Sequence, residues 1–145
     1  MGNITYAVLN CSIYSQYIKA YVLGGNCTFT LYSEKTKLRY TFRVRSRKNS
    51  EWYRVERLYG DDNTKDYKYI GCFKLDQHNL LSTKFDNYGP AESQIKYFLN
   101  VLWGSLKWPA TMYMYPSGRC ARCGRLLTTP ESIKTGFGPK CIGKV

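Results

Sequence analysis

Residues 27–32, CTFTLY, and 37–46, KLRYTFRVRS, decide the fold. Apolar side chains recur there at every second position: Phe29 and Leu31, then Leu38, Tyr40, Phe42 and Val44. Between them stand Thr28, Thr30, Arg39, Thr41, Arg43 and Arg45. A period of two sends alternate side chains to opposite faces of a strand, so this pattern predicts two strands with one apolar face and one basic face. The link at 33–37, SEKTK, has the composition of a hairpin turn.

The same reading extends outward. A polar loop at 47–50 leads to a third strand in 51–60, EWYRVERLYG, and the turn GDDNTKD at 60–66 leads to a fourth in 67–75, YKYIGCFKL. A short strand near Leu81 to Phe85 follows, and TMYMY at 111–115 reads as another. Two segments carry helical spacing instead. Tyr14, Tyr17, Ile18, Tyr21 and Val22 predict a helix over 14–23, stopped by Gly24 and Gly25. Pro90 suits the first helical position and Glu92 the positive end of the helix dipole, opening a helix over 89–106 with Ile95, Phe98, Leu99, Leu102 and Leu106 on one face. The expected fold is α+β: an antiparallel meander of four or five strands with one or two packed helices, filling residues 1–116. A treble-clef-like zinc knuckle at 117–145 is expected to pack on it.

A chain of 145 residues fits one modest core, and an aromatic fraction of 16% is too high for a disordered chain. The formal net charge of +12 favours polyanionic partners and disfavours mimicry of nucleic acid. No apolar run reaches the length of a membrane span, and the N-terminal MGNITYAVLNC lacks the basic and apolar regions of a signal peptide. A soluble, cytoplasmic protein with no membrane partner is expected.

The six cysteines are at 11, 27, 72, 120, 123 and 141. Cys120 and Cys123 form a C-x-x-C followed by Gly124, a turn that aims two thiolates at one ion and leaves room for backbone amides to reach sulfur. Cys141 follows in a turn-rich segment, where Thr129, Pro130, Glu131 and Ser132 predict a helix start and Gly138-Pro139 a tight turn. Thiolate ligands select Zn²⁺, and so small a tail needs a metal to hold it together. A redox dithiol is the competing reading, but nothing around the motif has the strand-to-helix pattern of a thioredoxin-like unit. The fourth ligand is open among Cys11, Cys27, Cys72, His78, an acidic side chain, water or another molecule. Otherwise Cys11, Cys27 and Cys72 read as small core residues.

The segment 118–141, GRCARCGRLLTTPESIKTGFGPKC, resembles a Cys-rich motif of small uncharacterised proteins carried by bacteriophages and plasmids. Their pattern, Cys-x-x-Cys-Gly-Arg-x-Leu-Thr-x-Pro-x-Ser-Ile-x-x-Gly-x-Gly-Pro-x-Cys, is matched at each named position from Cys120 to Cys141. Weaker similarity covers FTL at Phe29, Phe42 to Arg45, Gly60 to Asn63 and Tyr67 to Gly71. The resemblance implies a phage or mobile-element origin, host cytoplasm as the location and a zinc-binding end with three cysteines. It brings no activity.

Catalytic material is thin: one histidine, and an acidic cluster of Asp61, Asp62 and Asp66 whose composition is that of a solvated turn. Three thiolates would also make zinc a poor Lewis acid. The chain therefore reads as a non-enzyme that contacts DNA or RNA. The candidate contacts are Arg39, Arg43 and Arg45 on the polar strand face, Arg47 and Lys48 in the following loop, and Arg119, Arg122, Arg125, Lys134 and Lys140 around the cysteines. Tyr32, Tyr53, Tyr67 and Tyr69 are candidates for base stacking. The alternative is a phage-encoded interaction module that docks on a host nucleic-acid machine or defence complex. Its anchors would come from Trp52, Tyr53, Trp103, Trp108, Tyr113 and Tyr115, though most of these read as core.

Overall fold

The computed structural model describes residues 11–62, 64–127, 137–138 and 140–142, with backbone alone for 11–15. The element order is α1 (Cys11–Val22), β1 (Asn26–Ser33), β2 (Arg39–Ser46), β3 (Tyr53–Leu58), β4 (Tyr67–Leu75), β5 (Leu81–Phe85), α2 (Pro90–Trp103) and β6 (Met112–Pro116). The strands form one sheet in the order β5-β4-β3-β2-β1-β6, every neighbouring pair antiparallel. The expected four or five strands are therefore six. The chain passes through α2 before TMYMY returns to pair with β1, placing Tyr32 opposite Tyr113 and Thr30 opposite Tyr115. Among the described residues no helix is long and apolar enough to cross a membrane.

The hairpin parity holds within the strands, but Leu38, expected on the apolar face, precedes β2 and is 38% exposed, and Tyr40 is half-buried. Phe29, Leu31, Phe42 and Val44 are buried, together with Val55 and Phe73 further along the sheet and Met112 and Met114 on β6. Both helices contribute to this one core, α1 through Ile18, Tyr21 and Val22 and α2 through Ile95, Phe98, Leu99 and Leu102. Phe29 is central, with ring centroids 6.1 Å from Phe42 and 5.2 Å from Phe98. Burial of each such side chain is worth about 1.5–3 kcal/mol before conformational entropy is counted. Helix α2 stops at Trp103, where the Gly104 amide donates to the Asn100 carbonyl at 2.8 Å. Leu106, expected on the helix's apolar face, lies beyond this stop and is 42% exposed.

Tyr53 does not join the polar face: its ring stacks on buried Phe73 at 5.2 Å. Trp103 and Trp108 also pack on the core, and the Trp108 indole N–H donates to the Met112 carbonyl at 2.7 Å. Cys27 is buried and Cys72 half-buried. Desolvation pushes the Cys27 thiol up to about 12, so it behaves as a neutral core residue.

Register also places an acid beneath the basic face. Glu56, only 5% exposed, lies opposite Arg43 and accepts from Arg43 Nε at 2.6 Å and Arg54 Nε at 2.7 Å. Burial raises its proton affinity, but the two guanidinium hydrogen bonds prevail and hold the carboxyl below its ordinary value. A depressed native value stabilises the fold above the unfolded-state value and is lost as pH falls through the native one. Glu56→Gln should therefore lower stability by roughly 1–3 kcal/mol at neutral pH, because two guanidiniums lose their shared carboxylate. Urea unfolding should show the gap from wild type closing in acid; a gap independent of pH would contradict the pairing.

Candidate functional site

The first site is the thiolate cluster. Residues 118–127 form a tight hairpin: Leu127 N–H donates to the Gly118 carbonyl at 2.9 Å, Cys120 N–H donates to the Arg125 carbonyl at 2.8 Å, and Arg119 bridges Leu126. At its tip, Gly124 takes φ +80° and its amide closes back on the Cys120 carbonyl at 2.9 Å. Such a turn needs left-handed backbone, which glycine adopts without a Cβ clash. The amides of Arg122 and Cys123 approach Cys120 Sγ at 3.4 and 3.5 Å, the hydrogen-bond arrangement that supports a metal-bound thiolate.

Cys141 arrives from the other side. Its amide and that of Ile142 both donate to the Gly138 carbonyl at 3.0 Å, starting a helical turn. The three sulfurs of Cys120, Cys123 and Cys141 lie within 4.8 Å of one another, close enough to hold one metal ion. Cys120 and Cys141 are buried and Cys123 is exposed. Burial raises the Cys120 thiol, but the amides of Cys123, Gly138 and Arg122 overcome it and bring the value down to about 7. Burial raises Cys141, and the neighbouring Cys120 and Cys123 sulfurs add to that while Arg122 opposes it. Arg122 Nη1 lies 3.9 Å from Cys141 Sγ, positioned to offset thiolate charge. Among the described residues no other His, Cys, Asp or Glu joins the group. His78 stands instead in the β4–β5 turn, at the far side of the sheet, where its amide donates to Asp76.

This cluster is anchored to the sheet through the α1–β1 link. The Asn26 amide donates to the Ala121 carbonyl at 2.7 Å, and the Ser117 amide to the Thr28 carbonyl at 3.1 Å. The Tyr21 hydroxyl donates to that same Thr28 carbonyl at 2.7 Å. Ala121 and Phe137 are fully buried against Gly24, where an added Cβ would come 2.8 Å from the Ala121 Cβ and 2.9 Å from the Phe137 ring. Gly24 was expected only as a helix stop; its second duty is to admit the knuckle.

The second site is the face of the sheet opposite the helices. Cross-strand register sorts it into rows. Tyr113, Tyr32 and Arg39 form one row, Tyr115, Thr30 and Thr41 the next, then Thr28, Arg43, Glu56 and Tyr69, then Asn26, Arg45, Arg54, Cys72 and Lys84. Cations lie over rings: Arg39 Cζ is 4.9 Å from the Tyr32 centroid, Arg43 Cζ 4.1 Å from Tyr67 and Arg54 Cζ 4.6 Å from Tyr69. Lys74 and Lys84 share the Trp52 ring. Such contacts hold the heads in place, and Arg43 and Arg54 are also paired with Glu56.

The predicted cations divide accordingly. Arg39, Arg45, Arg47 and Lys48 are exposed. Arg43 is committed, since besides Glu56 its Nη1 donates to the Thr64 carbonyl at 3.4 Å. Arg119, Arg122, Arg125 and Lys140 are exposed around the knuckle, and Arg119 Nη1 donates to the Gly124 carbonyl at 3.2 Å. Lys134 and the helix expected at Thr129 to Gly136 lie outside the described residues. Arg45 is register partner of Asn26, the residue that binds Ala121, so the basic face runs directly into the knuckle. The acidic cluster is a turn: Asp62 accepts from Thr64 and Lys65, and Asp66 accepts from the Asp62 amide. Tyr113 and Tyr115, weighed in the sequence as docking anchors or core, turn outward and are half-buried; sequence could not decide between these because Met and Tyr alternate in TMYMY and both types fill cores.

Residues 110–145 match a family described as "Family of unknown function (DUF6011)". No curated protein and no solved structure matches the chain.

Two predictions follow from the knuckle. Cys120→Ser and Cys141→Ser should each abolish retention of one metal ion per chain, measured by elemental analysis after gel filtration; undiminished metal would refute the ligand set. Gly24→Ala should cost roughly 1–3 kcal/mol by overpacking against Ala121 and Phe137, read by thermal unfolding of the metal-loaded chain.

Proposed function

We propose that this protein is a small, basic, zinc-stabilised module of phage or mobile-element type that binds DNA or RNA without catalysing a reaction. The reading draws its support from the continuity of exposed Arg39, Arg45 and Arg119 with the thiolate hairpin through Asn26 and Ala121. Zinc is the ion that suits three thiolates, and its contribution here is to fix the hairpin. The non-catalytic reading rests on Asp62 and Asp66 being engaged in their own turn and on His78 lying away from the thiolates. The +12 charge supplies the attraction, and Arg39, held over the Tyr32 ring, supplies a fixed contact for phosphate.

A protein-docking module draws less support from its aromatic candidates. Tyr53, Trp103 and Trp108 pack on the core and Trp52 carries two lysines, leaving Tyr113 and Tyr115. Salt separates the readings, since phosphate contacts weaken steeply with ionic strength and an aromatic interface does not.

The decisive measurement is fluorescence anisotropy of the zinc-loaded chain with DNA and RNA over a range of salt. Arg39→Gln and Arg45→Gln should each reduce the salt slope by about 0.7–0.9, the share of one phosphate contact. Arg43→Gln should act mainly on stability. Slopes unchanged in the first two variants would place the contact elsewhere.

A further inference from the structure

Resting on that nucleic-acid reading, we propose that the ligand is an unpaired strand, one base of which stacks on Tyr115, the open end of a tyrosine row built with Tyr32 and Tyr113 at the β1–β6 edge of the sheet. The three rings form a continuous stacked row, with Tyr32 to Tyr113 at 6.3 Å and 29° and Tyr113 to Tyr115 at 6.4 Å and 24°. All three belong to the face away from the helices and are partly exposed. Their orientation is fixed from below and beside. The Tyr113 hydroxyl donates to Glu34 at 3.1 Å, and the Tyr32 ring lies under the Arg39 guanidinium.

The row is bracketed by positive charge. Arg39 stands at the Tyr32 end, and Arg119 at the Tyr115 end. Beside Tyr115 a recess of about 410 Å³ opens, lined by Thr28, Thr30, Thr41, Tyr67, Tyr115 and Arg119. The hydroxyls of Thr30 and Thr41 meet at 2.7 Å on its floor. Rings, hydroxyls and a guanidinium in one recess match a nucleotide: a base against Tyr115, polar edges or sugar against the threonines, and phosphate at Arg119.

Geometry disfavours a duplex on this face. Strands lie about 4.8 Å apart, so β6, β1, β2 and β3 already span roughly 14 Å before side chains are added. The major groove is about 12 Å wide and admits a helix or a two-stranded ribbon. Both helices pack on the opposite face of the sheet and supply no groove-reading element to this one. Paired bases also hide their faces from the tyrosine rings, whereas an unpaired strand exposes them.

The test uses the zinc-loaded full chain and oligonucleotides of one sequence, single- and double-stranded, as DNA and as RNA, by anisotropy at fixed salt and then across salt. Single strands should bind about tenfold or more tighter than the duplex. Tyr113→Leu with Tyr115→Leu, which removes the stacking ring and its support, should weaken single-strand binding by about tenfold or more while leaving the salt slope unchanged. Tyr113→Phe with Tyr115→Phe should restore it, which separates ring stacking from a folding defect. Duplex binding equal to or tighter than single-strand binding would overturn the platform and leave the nucleic-acid reading standing. Leucine variants that bind as well as wild type would do the same. Binding to none of the four would overturn both.

Discussion

Two helices cover one face of a six-stranded antiparallel sheet, so the pleat delivers every second side chain to a face that water or a ligand must satisfy. The character of that second face follows from what the sequence places there. Threonine and arginine on β1 and β2, tyrosine on β4 and β6, and lysine on β4 and β5 leave it neither apolar enough to collapse on another sheet nor plainly hydrophilic. Its cations lie on its rings, an arrangement that covers apolar area without removing charge.

One acid organises the middle of this face. Glu56 sits between Arg43 and Arg54, and its carboxylate turns two mutually repelling guanidiniums into a bonded triad. The consequence is a division of labour among residues that look alike in sequence. Arg43 is 14% exposed at its side chain and structural, while Arg39 and Arg45 on the same strand and the same face are exposed to solvent. An isolated buried charge would be costly, so the two exposed arginines lie toward the ends of β2 where solvent reaches them.

The alternation in 27–46 was legible because threonine or arginine faces phenylalanine, leucine or valine at each step, and no other periodicity fits. The same rule falls silent on β6, where methionine and tyrosine alternate and either set would fill a core. Partner strand decides it: pairing with β1 puts Tyr113 beside Tyr32, and that contact joins residues far apart in the chain. The knuckle was legible in part, since spacing alone brings Cys120, Cys123 and Cys141 together. Its seat was not, because Gly24 reads as a helix stop whether or not Ala121 and Phe137 press against it. Leu106 fitted the helical period, but Gly104 ended the hydrogen-bonded turns first.

The metal centre and the sheet face are mechanically one object. Asn26 begins β1, binds Ala121 through its amide and stands opposite Arg45, while Ser117 continues from β6 to bind Thr28 before the chain enters the thiolate hairpin. A metal holding Cys120, Cys123 and Cys141 would therefore fix the path of the chain on both sides of Arg119, the guanidinium that lines the recess beside Tyr115. Among the described residues after β6, those buried are Cys120, Ala121, Leu127, Phe137 and Cys141, so two of the five belong to the thiolate cluster itself. On this argument the ion's role is positional. It would set one wall of the recess whose floor is built by the sheet.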